Sequence, residues 1–144
     1  MENYCHKVQY YETDQMQIVH HSNYIRWFEE ARTFYLEQIG FGYDRMEKEG
    51  ITCPVLEVLC KYLSMVRFPE KVLISTKIIE FTGVRMSLEY EIRDQVTGKL
   101  RTVGHSKHCF VGATGKPVLL SKENRELFEL LKSHFAEESG SVQA

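Results

Sequence analysis

Apolar positions follow one spacing before Gly50 and another after it. From residue 23 to residue 39 they recur every three or four positions, which is the spacing of one face of an α-helix. The residues of this stripe are Tyr24, Trp27, Phe28, Ala31, Phe34, Tyr35 and Ile39. Gly40 and Gly42 follow, and glycine commonly ends a helix. The pattern predicts one long helix with an aromatic face.

After Gly50 the spacing becomes two, which is typical of a strand with one buried face. The clearest case is residues 84–93, where the even-numbered positions are apolar and the odd ones from Arg85 are polar. Four further segments are predicted strands: residues 4–11, 55–64, 71–81 and 100–111. A C-terminal helix through His134 is expected to begin at an N-cap, Ser121.

One long helix and a run of antiparallel strands predict an α+β fold, with the sheet wrapped around the apolar stripe of the helix. A single sheet over one helix leaves strand edges uncovered, so we expect a homo-oligomer, at least a dimer. We assign residues 1–135 to a single domain and expect residues 136–144 to form a loose tail.

Composition narrows the class of protein. The chain has 144 residues, 43% of them hydrophobic, and a net charge of −2, as in an ordinary soluble protein. With a pI near 6.3 it offers no excess of basic charge to nucleic acid. We find no signal segment, no run of about 18 apolar residues for a membrane span and no paired cysteine spacing. We therefore expect a cytoplasmic protein with reduced thiols.

Residues 10–32, YYETDQMQIVHHSNYIRWFEEAR, place a carboxylate, Asp14, one loop ahead of the long helix. The first backbone N–H groups of a helix lack intrahelical acceptors and lie at the positive end of its dipole. Such groups stabilise the oxyanion that forms when a thioester carbonyl is attacked. Asp14 can attack that carbonyl or activate a water. We therefore expect Asp14 and the helix start to face one substrate carbonyl.

The same segment resembles the pattern YxxTDxxGxVxHxxYxxxxExAR of the 4-hydroxybenzoyl-CoA thioesterase and YbgC-like branch of the hotdog-fold acyl-CoA thioesterases. A looser similarity extends through residues 105–111 and 115–124. The resemblance implies a hotdog fold, in which an antiparallel sheet wraps one central helix. It also implies an acyl-CoA substrate, with acyl carrier protein as the alternative carrier, and no metal or organic cofactor. Members form homodimers that often pair into homotetramers, with active sites at the dimer interface.

By position, the resemblance assigns roles to four residues. Asp14 matches the family's catalytic carboxylate. His21 matches the helix-start residue whose N–H polarises the thioester carbonyl, and its imidazole has been considered catalytic in YbgC-like members. Tyr24 matches an aromatic residue near the acyl group. Gln17 stands where the family usually has glycine, so it strains the loop if that position needs a positive φ, or it narrows the site.

The phosphate charges of CoA require cations near the substrate, and we assign Arg67 and Arg85 to that role. Glu30, on the predicted helix, is the fallback base. A shared metal ion is disfavoured, because His105 and His108 point to opposite faces of a strand.

Two other functions stay open. A hotdog hydratase or dehydratase would use Asp14 with His20 or His21 as acid and base on an enoyl- or hydroxyacyl-CoA. A non-catalytic acyl-CoA-binding module would keep the pocket without turnover, and the presence of Asp14 counts against it.

Overall fold

The chain folds into one antiparallel sheet packed around one long helix. The structure is a computed structural model that describes the backbone of residues 1–143 and the side chains of residues 1–139. The strands are β1 (Tyr4–Lys7), β2 (Val55–Tyr62), β3 (Lys71–Phe81), β4 (Arg85–Asp94) and β5 (Leu100–Cys109). The helices are α1 (Ser22–Gln38), α2 (Tyr43–Lys48), α3 (Leu120–Glu123) and α4 (Arg125–Gln143). The sheet order is β1-β3-β4-β5-β2.

The core lies between the aromatic stripe of α1 and the sheet. Phe28 stacks on Tyr90 of β4, with ring centroids 4.6 Å apart and ring planes 10° apart. A Cβ atom on Gly104 of β5 would lie 2.2 Å from the Phe28 ring. Glycine at this position therefore allows the close approach of helix and sheet. This packing confirms the predicted α+β arrangement.

The end of the first strand and the cap of the C-terminal helix differ from the prediction. Strand β1 ends at Lys7, because residues 10–12 turn into a short 3-10 helix. The cap of the C-terminal helix is Asn124 rather than Ser121. Asn124 has an extended backbone, and its side-chain oxygen accepts a 3.1 Å hydrogen bond from the Leu127 N–H.

Helix α4 continues through residues 136–143, where we expected a loose tail. The Glu138 carboxylate accepts hydrogen bonds from the Tyr35 hydroxyl, over 2.7 Å, and from the Ile78 N–H of β3. These contacts join this part of the helix to α1 and to the sheet. Ala144 lies outside the described residues, and the domain boundary at residue 135 stays a prediction.

Strand β2 lies at one edge of the sheet. Within residues 1–143 it pairs only with β5, so its other edge is open. Large apolar side chains are exposed on this strand and just after it: Val55, Leu56, Leu59, Tyr62, Leu63 and Met65. An open edge with apolar side chains is a surface on which another chain can pair. No helix in the described part of the chain is long and apolar enough to cross a membrane.

Candidate functional site

Asp14 lies in a short hairpin that connects β1 to α1. Its N–H donates a hydrogen bond to the Ile18 carbonyl, and its carbonyl accepts one from the Gln17 N–H, both over 2.9 Å. A bridge between Thr13 and Val19 closes the base of this hairpin. Residues 13–19 therefore hold the aspartate in a fixed, hydrogen-bonded turn.

The two oxygens of the Asp14 carboxylate differ in their surroundings. Oδ1 accepts a 2.8 Å hydrogen bond from the Met16 N–H, which orients the group. Oδ2 has no hydrogen-bond partner among the described residues, and the side chain is half-buried. An oriented carboxylate with one free oxygen is suited to attack a carbonyl or to take a proton.

A cleft of about 230 Å³ opens beside this carboxylate. Three of the predicted site residues, Asp14, Gln17 and Arg67, line it together. Tyr10, Thr13 and Phe68 complete its walls. Arg67 is exposed, and its guanidinium forms no ion pair within residues 1–139, so its charge is available to an anion. The structure thus brings a carboxylate and a cation to one concave surface.

Gln17 adopts the left-handed backbone conformation, with φ of 66°. An L-residue with a side chain is disfavoured in this conformation by roughly 1–2 kcal/mol, whereas glycine adopts it freely. We expected Gln17 to strain the loop if its position needs a positive φ, and φ is positive here. Its side chain also borders the cleft.

Among the described residues, one N–H group at the start of α1 has no acceptor. The Ser22 N–H donates to His20 Nδ1 over 3.2 Å. The Asn23 N–H donates to the His20 carbonyl over 3.0 Å, and the Tyr24 N–H donates to the His21 carbonyl over 3.4 Å. The His21 N–H has no acceptor among the described residues. The amide that we expected to polarise a carbonyl is thus available to a ligand.

The side chain of His21 is exposed beside the helix start. Its ring stacks on that of His20, with centroids 4.2 Å apart. Its carbonyl accepts a 3.1 Å hydrogen bond from the Tyr62 hydroxyl at the end of β2. The strand pattern gives no signal for this contact, because alternation shows which face is buried and not what a side chain reaches.

The remaining predicted residues lie away from the cleft. His21 is not one of its lining residues, so the meeting of Asp14 and the His21 N–H at one carbonyl stays a prediction. Tyr24 is only 2% exposed and packs under the Tyr62 ring, at a centroid distance of 4.9 Å. In the single chain it therefore has almost no open surface for an acyl group.

Arg85 lies at the opposite end of the sheet from Arg67. Arg85 begins β4, whereas β3, which starts shortly after Arg67, pairs its first residues with Asp94 at the other end of β4. The two arginines of one chain therefore cannot line the same cleft.

The sequence of this chain matches the model of the thioesterase-like superfamily over residues 8–128. The chain belongs to this superfamily. Membership confirms the resemblance seen in the sequence, the hotdog fold and the class of enzyme, which is a thioester hydrolase.

Similar proteins support the assignment over most of the chain. YneP of Bacillus subtilis, provisionally named an acyl-CoA thioesterase, is 34% identical over 117 residues, which cover 81% of this chain and 84% of YneP. The acyl-CoA thioesterase YbgC of Haemophilus influenzae is 27% identical over 128 residues, covering 88% and 93% of the two chains. A DHNA-CoA thioesterase structure from Staphylococcus aureus has a TM-score of 0.91 and 31% identity, covering 97% of this chain and 94% of that chain.

A buried glutamate, Glu12, supports the hairpin of this thioesterase-like chain. It is 5% exposed and accepts hydrogen bonds from the Gln9 N–H (2.8 Å), His6 Nε2–H (2.9 Å) and the Trp27 indole N–H (2.7 Å). Burial raises the pKa of Glu12, but these hydrogen bonds outweigh it, and the pKa lies below its ordinary value. We did not predict this residue. The only signal for it is the three-residue spacing from Gln9, which is that of a capping box.

The other polar candidates lie outside the hairpin. Glu30, the fallback base, is 3.7 Å from His6 Nδ1 and does not line the Asp14 cleft. His105 and His108 point to opposite faces, as predicted: His105 pairs with a surface carboxylate, whereas His108 is fully buried. Within the described side chains, no group of three His, Cys, Asp or Glu residues is placed to hold a metal ion.

Proposed function

We propose that this protein is an acyl-CoA thioesterase that hydrolyses R–CO–S–CoA to a free acid and CoA, with Asp14 as nucleophile or general base. The observation that carries this proposal is the state of the Asp14 carboxylate. Its Oδ1 is anchored by the Met16 N–H, and its Oδ2, which has no hydrogen-bond partner within residues 1–139, belongs to a residue that lines the cleft. Superfamily membership supplies the reaction class, and the hairpin geometry supports the choice of Asp14.

In this proposal the thioester carbonyl lies between Asp14 and the start of α1. Oδ2 either attacks the carbonyl carbon, forming an acyl-aspartyl anhydride that water then hydrolyses, or takes a proton from an attacking water. In both routes the C–S bond breaks and the CoA thiolate leaves. The His21 N–H donates to the developing oxyanion, which contributes roughly a hundred- to a thousandfold in rate. The exposed His21 imidazole assists the proton transfers.

Substrate binding in this proposal uses the cleft beside Asp14. The Arg67 guanidinium, which has no ion pair within residues 1–139, pairs with a phosphate of the CoA group. The cleft of about 230 Å³ is smaller than the roughly 300–1,000 Å³ of most small-molecule sites. It therefore holds only part of an acyl-CoA, and further walls are needed.

A second copy of the chain supplies those walls in our proposal. The open edge of β2 carries exposed apolar side chains, and it ends at Tyr62, which contacts His21. A homodimer that pairs two β2 edges places the partner beside the helix start, and two dimers then form a homotetramer.

Molar mass measured by light scattering tests the assembly. The wild type should be a dimer or tetramer, whereas Leu59→Lys, on the exposed edge of β2, should shift it to the monomer and reduce turnover. A wild type that is monomeric and fully active would contradict the dimer.

A panel of acyl-CoA esters tests the reaction. It contains benzoyl-, 4-hydroxybenzoyl-, short and long straight-chain acyl- and crotonyl-CoA, and a thiol reagent such as Ellman's detects free CoA. We expect thiol release with at least one ester, and the same acyl group on acyl carrier protein then identifies the carrier. Loss of the crotonyl double bond without thiol release would identify a hydratase instead. Tight binding without either reaction would identify a binding module.

A further inference from the structure

Glu12 connects three parts of the molecule through one residue. Its carboxylate accepts hydrogen bonds from His6 of β1 and from Trp27 of α1, over 2.9 and 2.7 Å. Its backbone carbonyl accepts two more, from the His20 N–H over 2.8 Å and from the Asn23 side-chain amide over 2.9 Å. Five donors, including the Gln9 N–H, therefore converge on a single buried residue.

These contacts lie on both sides of the groups proposed to act on substrate. Asp14 follows Glu12 by two residues, and His21 directly follows His20. The carboxylate of Glu12 fixes the entry to the hairpin against α1, and its carbonyl fixes the exit. A shift of Glu12 would therefore move Asp14 relative to the His21 N–H.

We propose that Glu12 is a positioning residue for thioester hydrolysis, which fixes the spacing between the Asp14 carboxylate and the His21 N–H. This inference rests on the proposed function. Glu12 does not contact substrate itself, because it is buried and both of its carboxylate oxygens are occupied by protein donors. Glu12 is therefore distinct from Asp14, the proposed nucleophile or general base.

The chemistry of this residue fits such a role. Burial of a carboxylate removes its hydration, and good hydrogen bonds are needed to offset that cost. In return, charge-assisted hydrogen bonds hold their partners at short, well-defined distances. Misplacing a reacting group by about 1 Å can cost on the order of a hundredfold in rate.

Glu12→Gln tests the role with little change of shape. The carboxylate accepts on both oxygens, whereas an amide accepts on one atom and donates from the other. In the variant an NH2 group must therefore face either the Trp27 indole N–H or the donors from His6 and Gln9. We expect kcat to fall by at least about tenfold, with KM changed by less than about threefold, because ground-state contacts to the substrate are unaffected.

Glu138→Gln is the matched control. Glu138 is also a carboxylate that accepts a side-chain hydroxyl and a backbone N–H, from Tyr35 and Ile78. It contacts the C-terminal half of α1, about 20 Å along the helix from its start. We expect Glu138→Gln to lose about as much thermal stability as Glu12→Gln does. Its kcat should stay within about twofold of the wild type.

Trp27 provides a spectroscopic readout of the contact, because it is the only tryptophan in the chain. Its indole N–H gives a single resonance in a 1H–15N spectrum. In Glu12→Gln this resonance should move upfield as the hydrogen bond to a charged oxygen is lost. In Glu138→Gln it should stay in place.

Asn23→Ala is the second variant, and it decides the matter if Glu12→Gln does not fold. It removes one donor to the Glu12 carbonyl and leaves the carboxylate intact, so we expect a loss of kcat with an unmoved indole resonance.

The inference is overturned if folded Glu12→Gln has a shifted resonance and normal kcat, or if Glu138→Gln loses as much kcat as Glu12→Gln does. A wild type that releases no thiol from any acyl-CoA overturns the proposed function itself, which is a separate result.

Discussion

The hydroxyl of Tyr62 donates a 3.1 Å hydrogen bond to the carbonyl oxygen of His21. This contact joins the last residue of β2 to the residue that precedes α1. The Tyr62 ring also meets the buried Tyr24 ring edge-on. The end of the sheet and the start of the central helix are therefore held together at the proposed oxyanion donor.

Tyr62→Phe should lower kcat while leaving the fold intact. The variant keeps the ring contact with Tyr24 and loses the hydrogen bond to His21, which is worth about 0.5–1.5 kcal/mol. We expect kcat to fall by about two- to tenfold and the melting temperature to change little. Tyr11→Phe is the control, because Tyr11 is 81% exposed. Equal kcat values for the two variants would show that the Tyr62 hydroxyl has no role.

The backbone of Gln17 allows a comparison of two substitutions that remove the same side chain. At a negative φ, alanine is more stable than glycine by roughly 0.5–1 kcal/mol. With φ at 66° the order should reverse, so Gln17→Gly should be about 1 kcal/mol more stable than Gln17→Ala. Urea denaturation of both variants measures this difference. A more stable alanine variant would be inconsistent with a left-handed residue in this loop.

Gly104→Ala should be strongly destabilising, because its new methyl group would lie 2.2 Å from the Phe28 ring. Overpacking of this kind costs about 1–3 kcal/mol, and displacement of Phe28 from Tyr90 adds to that. A smaller residue in Phe28→Leu should relieve part of the clash. The double variant should therefore be more stable than the sum of the two single effects predicts. Strict additivity would mean that the two residues do not meet.

His108 should make the protein less stable in mild acid. Burial and the nearby charge of Arg32 lower the pKa of His108 from 6.5 to about 4. Between these values the unfolded chain binds a proton that the folded chain does not, so stability falls as the pH falls from 6.5 towards 4. One proton gives a slope of at most about 1.4 kcal/mol per pH unit.

Unfolding in urea at several pH values measures that slope. His108→Gln, which has no titrating group at this position, should have a flatter profile than the wild type. An unchanged slope in His108→Gln would place the titrating group elsewhere.

The elements with strong periodicity could be predicted from the sequence. The aromatic stripe locates α1, and the alternation over residues 84–93 locates β4 to within one residue at each end. Asp14, Gln17 and Arg67 were also predicted as site residues, and they line one cleft. The predictions of Asp14 and Gln17 follow from the local motif in the residues before α1.

The contacts that support the site could not be predicted in this way. Glu12 and Tyr62 act through partners on other elements, and no local pattern records which partner a side chain reaches. The cap at Asn124 was missed for a related reason, since Ser121 and Asn124 are both favourable capping residues and the chain conformation decides between them.

The turnover of Asp14→Asn tests the proposed chemistry most directly. Asparagine keeps an oxygen for the Met16 N–H but is neither an anionic nucleophile nor a base. Thiol release from the best acyl-CoA should therefore fall by several powers of ten, with substrate affinity and fold retained. The matched variant Asp44→Asn, in the exposed first turn of α2, should keep full activity. Near-normal turnover by Asp14→Asn would contradict the assignment of Asp14 as the reacting group.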